Sequence, residues 1–170
     1  MLYPVPFSLA IKKLLEDEGG GQLVTDRGGL TRYGIAQKYN PDVDVANLTE
    51  AAAIDILYQR YFVELDLGKL AADANVNMVL IGKVFNLGVN LYRDSIVCLQ
   101  RAVRAATAGK AVLKEDGAIG PLTVVAVSAT AAAPMLAAFR EAAAGEYRVR
   151  AAKDARDSEW LKGWLRRAYS

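Results

Sequence analysis

Apolar positions near the start of the chain recur at helical spacing. Phe7, Ile11, Leu14 and Leu15 fall on one face of a helix spanning about residues 6–18. Proline lies near its first turn, and the glycines at 19–21 end it. GQLVTDRGGL, residues 21–30, is too glycine-rich for a helix and predicts a small hairpin or loop. TRYGIAQKY restarts a helix with Thr31 as its cap, NPDVDVAN is a connector, and LTEAAAIDILYQRYF is a second strong helix capped by Thr49. The aromatic residues Tyr58, Tyr61 and Phe62 at its end read as core. Residues 73–87 form the most apolar helix, with polar positions sparse all round it, as a central helix requires. A helix over 91–106, the loop TAGKAVLKEDGAIGP, a helix opening at Pro121, and one long and one short helix from Pro134 onward complete the pattern. The expected fold is mainly α: a helical bundle around a central apolar helix, with one small β-hairpin near residues 21–30.

Composition narrows the chemistry. The sequence has no histidine and a single cysteine, Cys98, so a Ser-His-Asp triad, a Cys-His nucleophile and a His-ligated zinc site cannot be built within this chain. Any catalysis must come from carboxylate, Lys, Tyr, Ser or Thr groups. A net charge of +2 gives no footing for strong nucleic-acid binding. VNMVLIGKVFNLGV is the nearest approach to a membrane-spanning stretch, and Lys83 interrupts it. The lysines of MLYPVPFSLAIKKLL follow its apolar residues, the reverse of a signal peptide.

EDEGGG, residues 16–21, places three acids at a helix C-terminus, where the dipole disfavours them. Glu16 and Asp17 each follow a lysine by four residues, Lys12 and Lys13, and fall toward solvent. Glu18 instead follows Leu14 on the apolar face. Apolar neighbours and the negative helix end both raise a carboxyl pKa, and a carboxyl protonated near neutral pH serves as a general acid. The other reading of Glu18 is a side chain bonded to the glycine amides of the following turn. Asp26 and Thr31 follow on the glycine-rich element and could face Glu18 across a cleft, or be a turn residue and a helix cap. Glycoside hydrolysis uses two carboxyl groups in such a relation, about 5–5.5 Å apart for a covalent intermediate and about 6.5–9.5 Å apart when water attacks.

These residues resemble glycoside hydrolase family 108, the N-acetylmuramidases found among phage endolysins. The resemblance runs through Glu18-Gly19-Gly20, Asp26-Arg27-Gly28-Gly29, Thr31-Arg32-Tyr33-Gly34-Ile35, Pro41-Asp42-Val43-Asp44 and VFNLGVN at 84–90. CLQRAV at 98–103 and EDGAIGPLTVVAV at 115–127 are similar to the helical peptidoglycan-binding module that accompanies the family, and WLKGWLRRA near the end is typical of it. The resemblance implies a lysozyme-like α+β catalytic part over 1–90 and a peptidoglycan-binding part over 91–170 packed on it, or one compact domain. It implies Glu18 as the catalytic acid, with Thr31, Tyr33 and Asn90 in the cleft and Asp26 as a helper. Asn86 stands where the family often has aspartate and is assigned with Tyr33 and Asn90 to substrate binding. That replacement leaves Asp26 or a water held by Thr31 as the second group, and the expectation is inversion. The loop between Glu18 and Gly28 is one residue shorter than the family's usual form and lacks its aromatic.

The expectation is therefore an endolysin-type muramidase that hydrolyses the β-1,4 bond between N-acetylmuramic acid and N-acetylglucosamine. A lytic transglycosylase and a non-catalytic wall-binding protein are the alternatives. The partner is bacterial peptidoglycan, with no nucleic acid, no stable membrane insertion, no metal and no cofactor implied, and the chain is expected to be a monomer. It would be made in the cytoplasm and reach the wall through a holin. In the arginine-rich tail, Trp160 and Trp164 are expected to anchor a terminal helix to the core, with contact to an anionic envelope as the other reading.

Overall fold

The computed structural model describes residues 2–17, 21–26 and 29–170. Helix α1, Val5–Asp17, buries Phe7, Ile11 and Leu14, the face its spacing sets. Three short antiparallel strands follow: β1 (Val24–Asp26), β2 (Gly29–Arg32) and β3 (Ile35–Ala36), in that order across the sheet. Thr31 on the middle strand pairs with Val24 on one side and Ala36 on the other.

The sheet corrects the helix expected from Thr31 onward. Arg32 pairs with Ile35, which leaves Tyr33 and Gly34 as a two-residue hairpin loop, and both have positive φ, 54° and 77°. That is the backbone a type I′ turn needs and a helix forbids. The Tyr33 ring lies so close over Gly21 that a Cβ there would meet it at 2.2 Å, and the Arg32 guanidinium sits 5.5 Å from the ring centre. Arg32 also donates to the Gly21 and Ala46 carbonyls at 2.9 and 3.1 Å. These contacts compensate a bulky residue in left-handed backbone. Helical structure survives only as a 3₁₀ turn at Gln37–Tyr39.

Helix α2, Glu50–Leu57, begins as expected at Thr49, whose hydroxyl accepts from the Ala52 amide. It continues as a π-helical turn over Tyr58–Val63, and a short helix α3 follows at Leu67–Ala71. The central helix α4, Met78–Leu91, starts later than its apolar run suggests. Asp73 accepts the Asn75 amide and closes a turn, and Asn77 accepts from Val79 and Leu80 to cap the helix. α4 packs against α1, α3 and the next helix, α5 (Asp94–Ala106). A Cβ at Gly82 would come within 3.2 Å of Ala10, so the missing side chain lets α4 approach α1 closely.

The C-terminal half contains α6 (Pro121–Ser128), the long α7 (Ala132–Lys153), a 3₁₀ turn at Ala155–Asp157 and α8 (Leu161–Tyr169). α7 packs against both α5 and α8. A continuous hydrophobic cluster runs from Phe7 on α1 through Phe85 on α4 to Phe139 on α7 and Ala168 on α8. Each large side chain so buried stabilises the fold by about 1.5–3 kcal/mol. The architecture is mainly helical around α4, with a sheet that extends past residue 30 to Ala36. Among the described residues no helix is long and apolar enough to cross a membrane.

Candidate active site

A cleft of about 1050 Å³ opens beside the sheet, between β2, the π-helical turn, the end of α4 and the terminal helix α8. Thr31, the residue of β2 paired on both sides, lines this cleft while only 8% exposed. Its hydroxyl lies 3.4 Å from the Gly29 carbonyl. Asn90 reaches the same cleft from the last turn of α4. Glu18 lies outside the described residues; in sequence it follows Asp17, the last residue of α1. Asp26 ends β1, with its main chain paired to Gly29.

The other two sequence-predicted residues lie elsewhere. Tyr33 is buried over Gly21 and does not line the cleft, because the hairpin turn directs its ring into the core. Asn86, one turn before Asn90 on α4, is buried and likewise absent from the lining.

Several cleft residues were not anticipated. Arg60, Tyr61 and Glu64 enter from the π-helical turn and its end. The buried positions there are Ala53, Leu57 and Phe62, so the last step is five residues, the π period. A regular helix would have turned Arg60 or Tyr61 inward after Leu57. An arginine on the face due for burial was the signal in YQRYF. Phe62 is core as expected, and Tyr58 packs on Tyr3 and Phe7, but Tyr61 faces the cleft.

Hydrogen bonds hold this wall in shape. Buried Asn40 donates to the Ala36 carbonyl and accepts from Arg60, whose other nitrogen pairs with Asp42 at 2.5 Å. Gln37 donates to the Asn40 and Val43 carbonyls at 3.0 and 2.8 Å. Tyr92, at φ 48° beyond α4, donates from its phenol to Glu64 at 3.1 Å. Burial and then the Glu64 hydrogen bond raise the Tyr92 pKa, and burial raises that of Tyr61. Both phenols therefore remain protonated donors at neutral pH. The Asp42 carboxyl is held below its ordinary range by backbone hydrogen bonding and then by Arg60, which keeps the pair ionised.

The opposite wall comes from α7 and α8. Arg150, Trp160, Trp164 and Arg166 all line it. Trp164 also stacks on Tyr147 with ring centres 5.4 Å apart, anchoring the helix as expected, while Trp160 is 43% exposed. The arrangement is a wide, polar and aromatic groove. Its volume lies at the upper end of the roughly 300–1,000 Å³ of small-ligand sites.

The chain is similar to known proteins over most of its length. A family model described as Glycosyl hydrolase 108 matches residues 11–88, and one described as Predicted Peptidoglycan domain matches residues 94–169. Among solved structures, the chain is similar to SagA of Brucella abortus, at 23% identity and a TM-score of 0.73. That match covers 96% of this chain and 89% of the other, and at this identity it shows a shared fold. No curated protein matches. Residues 11–88 thus match the glycosyl hydrolase 108 model and residues 94–169 the peptidoglycan model, an arrangement that supports a glycosidase acting on peptidoglycan.

Proposed function

We propose that the protein is a muramidase that hydrolyses the β-1,4 bond between N-acetylmuramic acid and N-acetylglucosamine. Glu18 donates a proton to the glycosidic oxygen as the bond to the muramic acid C1 breaks. Water, held by Thr31 or Asp26, attacks C1 from the opposite face, gives up a proton to the Asp26 carboxylate or to bulk water, and leaves a new reducing end with inverted configuration. Asn90 binds the sugar.

The observation that carries this reading is the meeting of Thr31 and Asn90, far apart in sequence, on one large cleft with exposed Trp160. Thr31 offers hydroxyl lone pairs to a water, and the aromatic surface suits a sugar face. Tyr33 and Asn86 serve the site indirectly in this account, through the hairpin turn and the packing of α4. The further reading as a monomeric phage endolysin, made in the cytoplasm and released to the wall by a holin, rests on the sequence resemblance.

Digestion of purified peptidoglycan followed by mass spectrometry tests the reaction. Reducing N-acetylmuramic acid ends are expected. Anhydromuramic ends would make the enzyme a lytic transglycosylase, and wall binding without any product would make it a binding protein.

A further inference from the structure

The cleft described above is not made by the hydrolase segment alone. Arg150 on α7 and Arg166 and Arg167 on α8 face it, and Arg60 joins them from the π-helical turn. Against these four cations the lining contains, among the described residues, two carboxylates, Glu64 and Asp157. Arg60 and Arg150 are oriented by Asp42 and Asp94, at 2.5 and 2.7 Å, and neither of those acids lines the cleft. Arg166 is exposed, and no carboxylate among the described residues pairs with it. A helix C-terminus favours arginine. It does not require two helix ends to converge on one groove.

α8 is held as a wall and not as a tethered anchor. Lys83, buried on α4, donates to the Arg167 and Ser170 carbonyls at 3.1 and 2.9 Å. Arg140 donates to the same Ser170 oxygen at 3.2 Å, and Tyr169 donates to Glu141 at 3.0 Å. The lysine that interrupts the most apolar helix therefore sets the position of the cationic helix across the cleft.

A glycan strand's own hydroxyls and acetamides are uncharged. The carboxylates of peptidoglycan sit on the stem peptides that branch from muramic acid. A guanidinium fork matches a carboxylate with two parallel hydrogen bonds. We propose that the C-terminal segment forms the specificity wall of the cleft, with Arg166 gripping stem-peptide carboxylates and Arg60 and Arg150 supplying the surrounding field. This rests on the reading of the cleft as the glycan-binding site.

Binding of a disaccharide-tetrapeptide and of the same disaccharide with its lactyl carboxyl capped as a simple amide, measured by calorimetry on the full chain, tests it. Wild type should bind the peptide-bearing ligand about tenfold more tightly, the value of one charge-assisted contact. Arg166→Gln should remove that preference, Arg166→Lys should retain part of it, and 0.5 M salt should weaken it in wild type. Equal affinities in wild type, or a preference unchanged in Arg166→Gln, would overturn the proposal. Circular dichroism of each variant shows that the fold is retained. If wild type releases no new sugar ends yet keeps the preference, the muramidase reading falls and the cationic wall stands.

Discussion

Residues 21–45 and 107–120 are written with the same residue types, and they do opposite things. Both hold glycines at positive φ, Gly21, Gly29 and Gly34 in one and Gly109 and Gly117 in the other, and both hold aspartates beside them. In the second stretch the polar groups close on one another. Gln100, 2% exposed, donates to Asp116 and to the Ala118 carbonyl at 2.8 and 3.1 Å and accepts from the Gly117 amide at 3.1 Å. A Cβ at Gly117 would stand 3.2 Å from the Arg93 carbonyl. The glutamine of the LQ motif and the DG of EDGAIGP are thus one structural clasp. In the first stretch the hydrogen bonds of Arg32, Gln37 and Asn40 fix the backbone while Thr31, Gly34 and Asn40 stay on the cleft. A motif that satisfies itself builds scaffold, and one whose side chains remain on a groove builds a site.

That contrast is breakable. Gln100→Ala should cost about 2–4 kcal/mol, because it strands a buried amide and the loop carbonyl it serves. Thermal unfolding checks this, with turnover per folded molecule expected to stay close to wild type. Thr31→Val should do the reverse. It preserves shape and strand pairing, so the melting temperature should hold while kcat on peptidoglycan falls about a hundredfold and KM changes little. An activity loss only in step with unfolding would place Thr31 in the scaffold with Gln100.

The smallest effect concerns acid. Asp116 is held below its ordinary pKa, first by the Gln100 hydrogen bond and then by the Ala118 amide. A folded pKa below the unfolded one contributes stability above the unfolded value, about 4, and that contribution disappears as pH falls through the folded value. Asp116→Asn should therefore be less stable than wild type at pH 6, and the gap between their melting temperatures should narrow below pH 4. A constant gap down to pH 3 would remove the ionised clasp.

Much of the framework was legible in the sequence because its causes are local. The α1 face of Phe7, Ile11 and Leu14, the Thr49 cap and the proline-led α6 follow from neighbours within a turn. Thr31 and Asn90 came from ordered motifs, and both reached the cleft. The failure at residues 31–39 was one of turn chemistry. Tyr-Gly was not read as a hairpin pair, since tyrosine takes positive φ only where distant contacts such as Gly21 and Arg32 compensate it. The arginine wall was illegible for a related reason. Arg60, Arg150 and Arg166 meet only through tertiary packing, and their charges average away in a chain of net +2.

Glu18→Gln tests the central claim most directly, with product release and wall binding measured on the same peptidoglycan. The variant is expected to sediment with the wall as wild type does and to release no reducing muramic acid ends, a loss of at least a thousandfold for a missing general acid, at the upper end of ~10²–10⁴. Release of those ends at the wild-type rate would contradict the account and move the catalytic acid elsewhere in the chain.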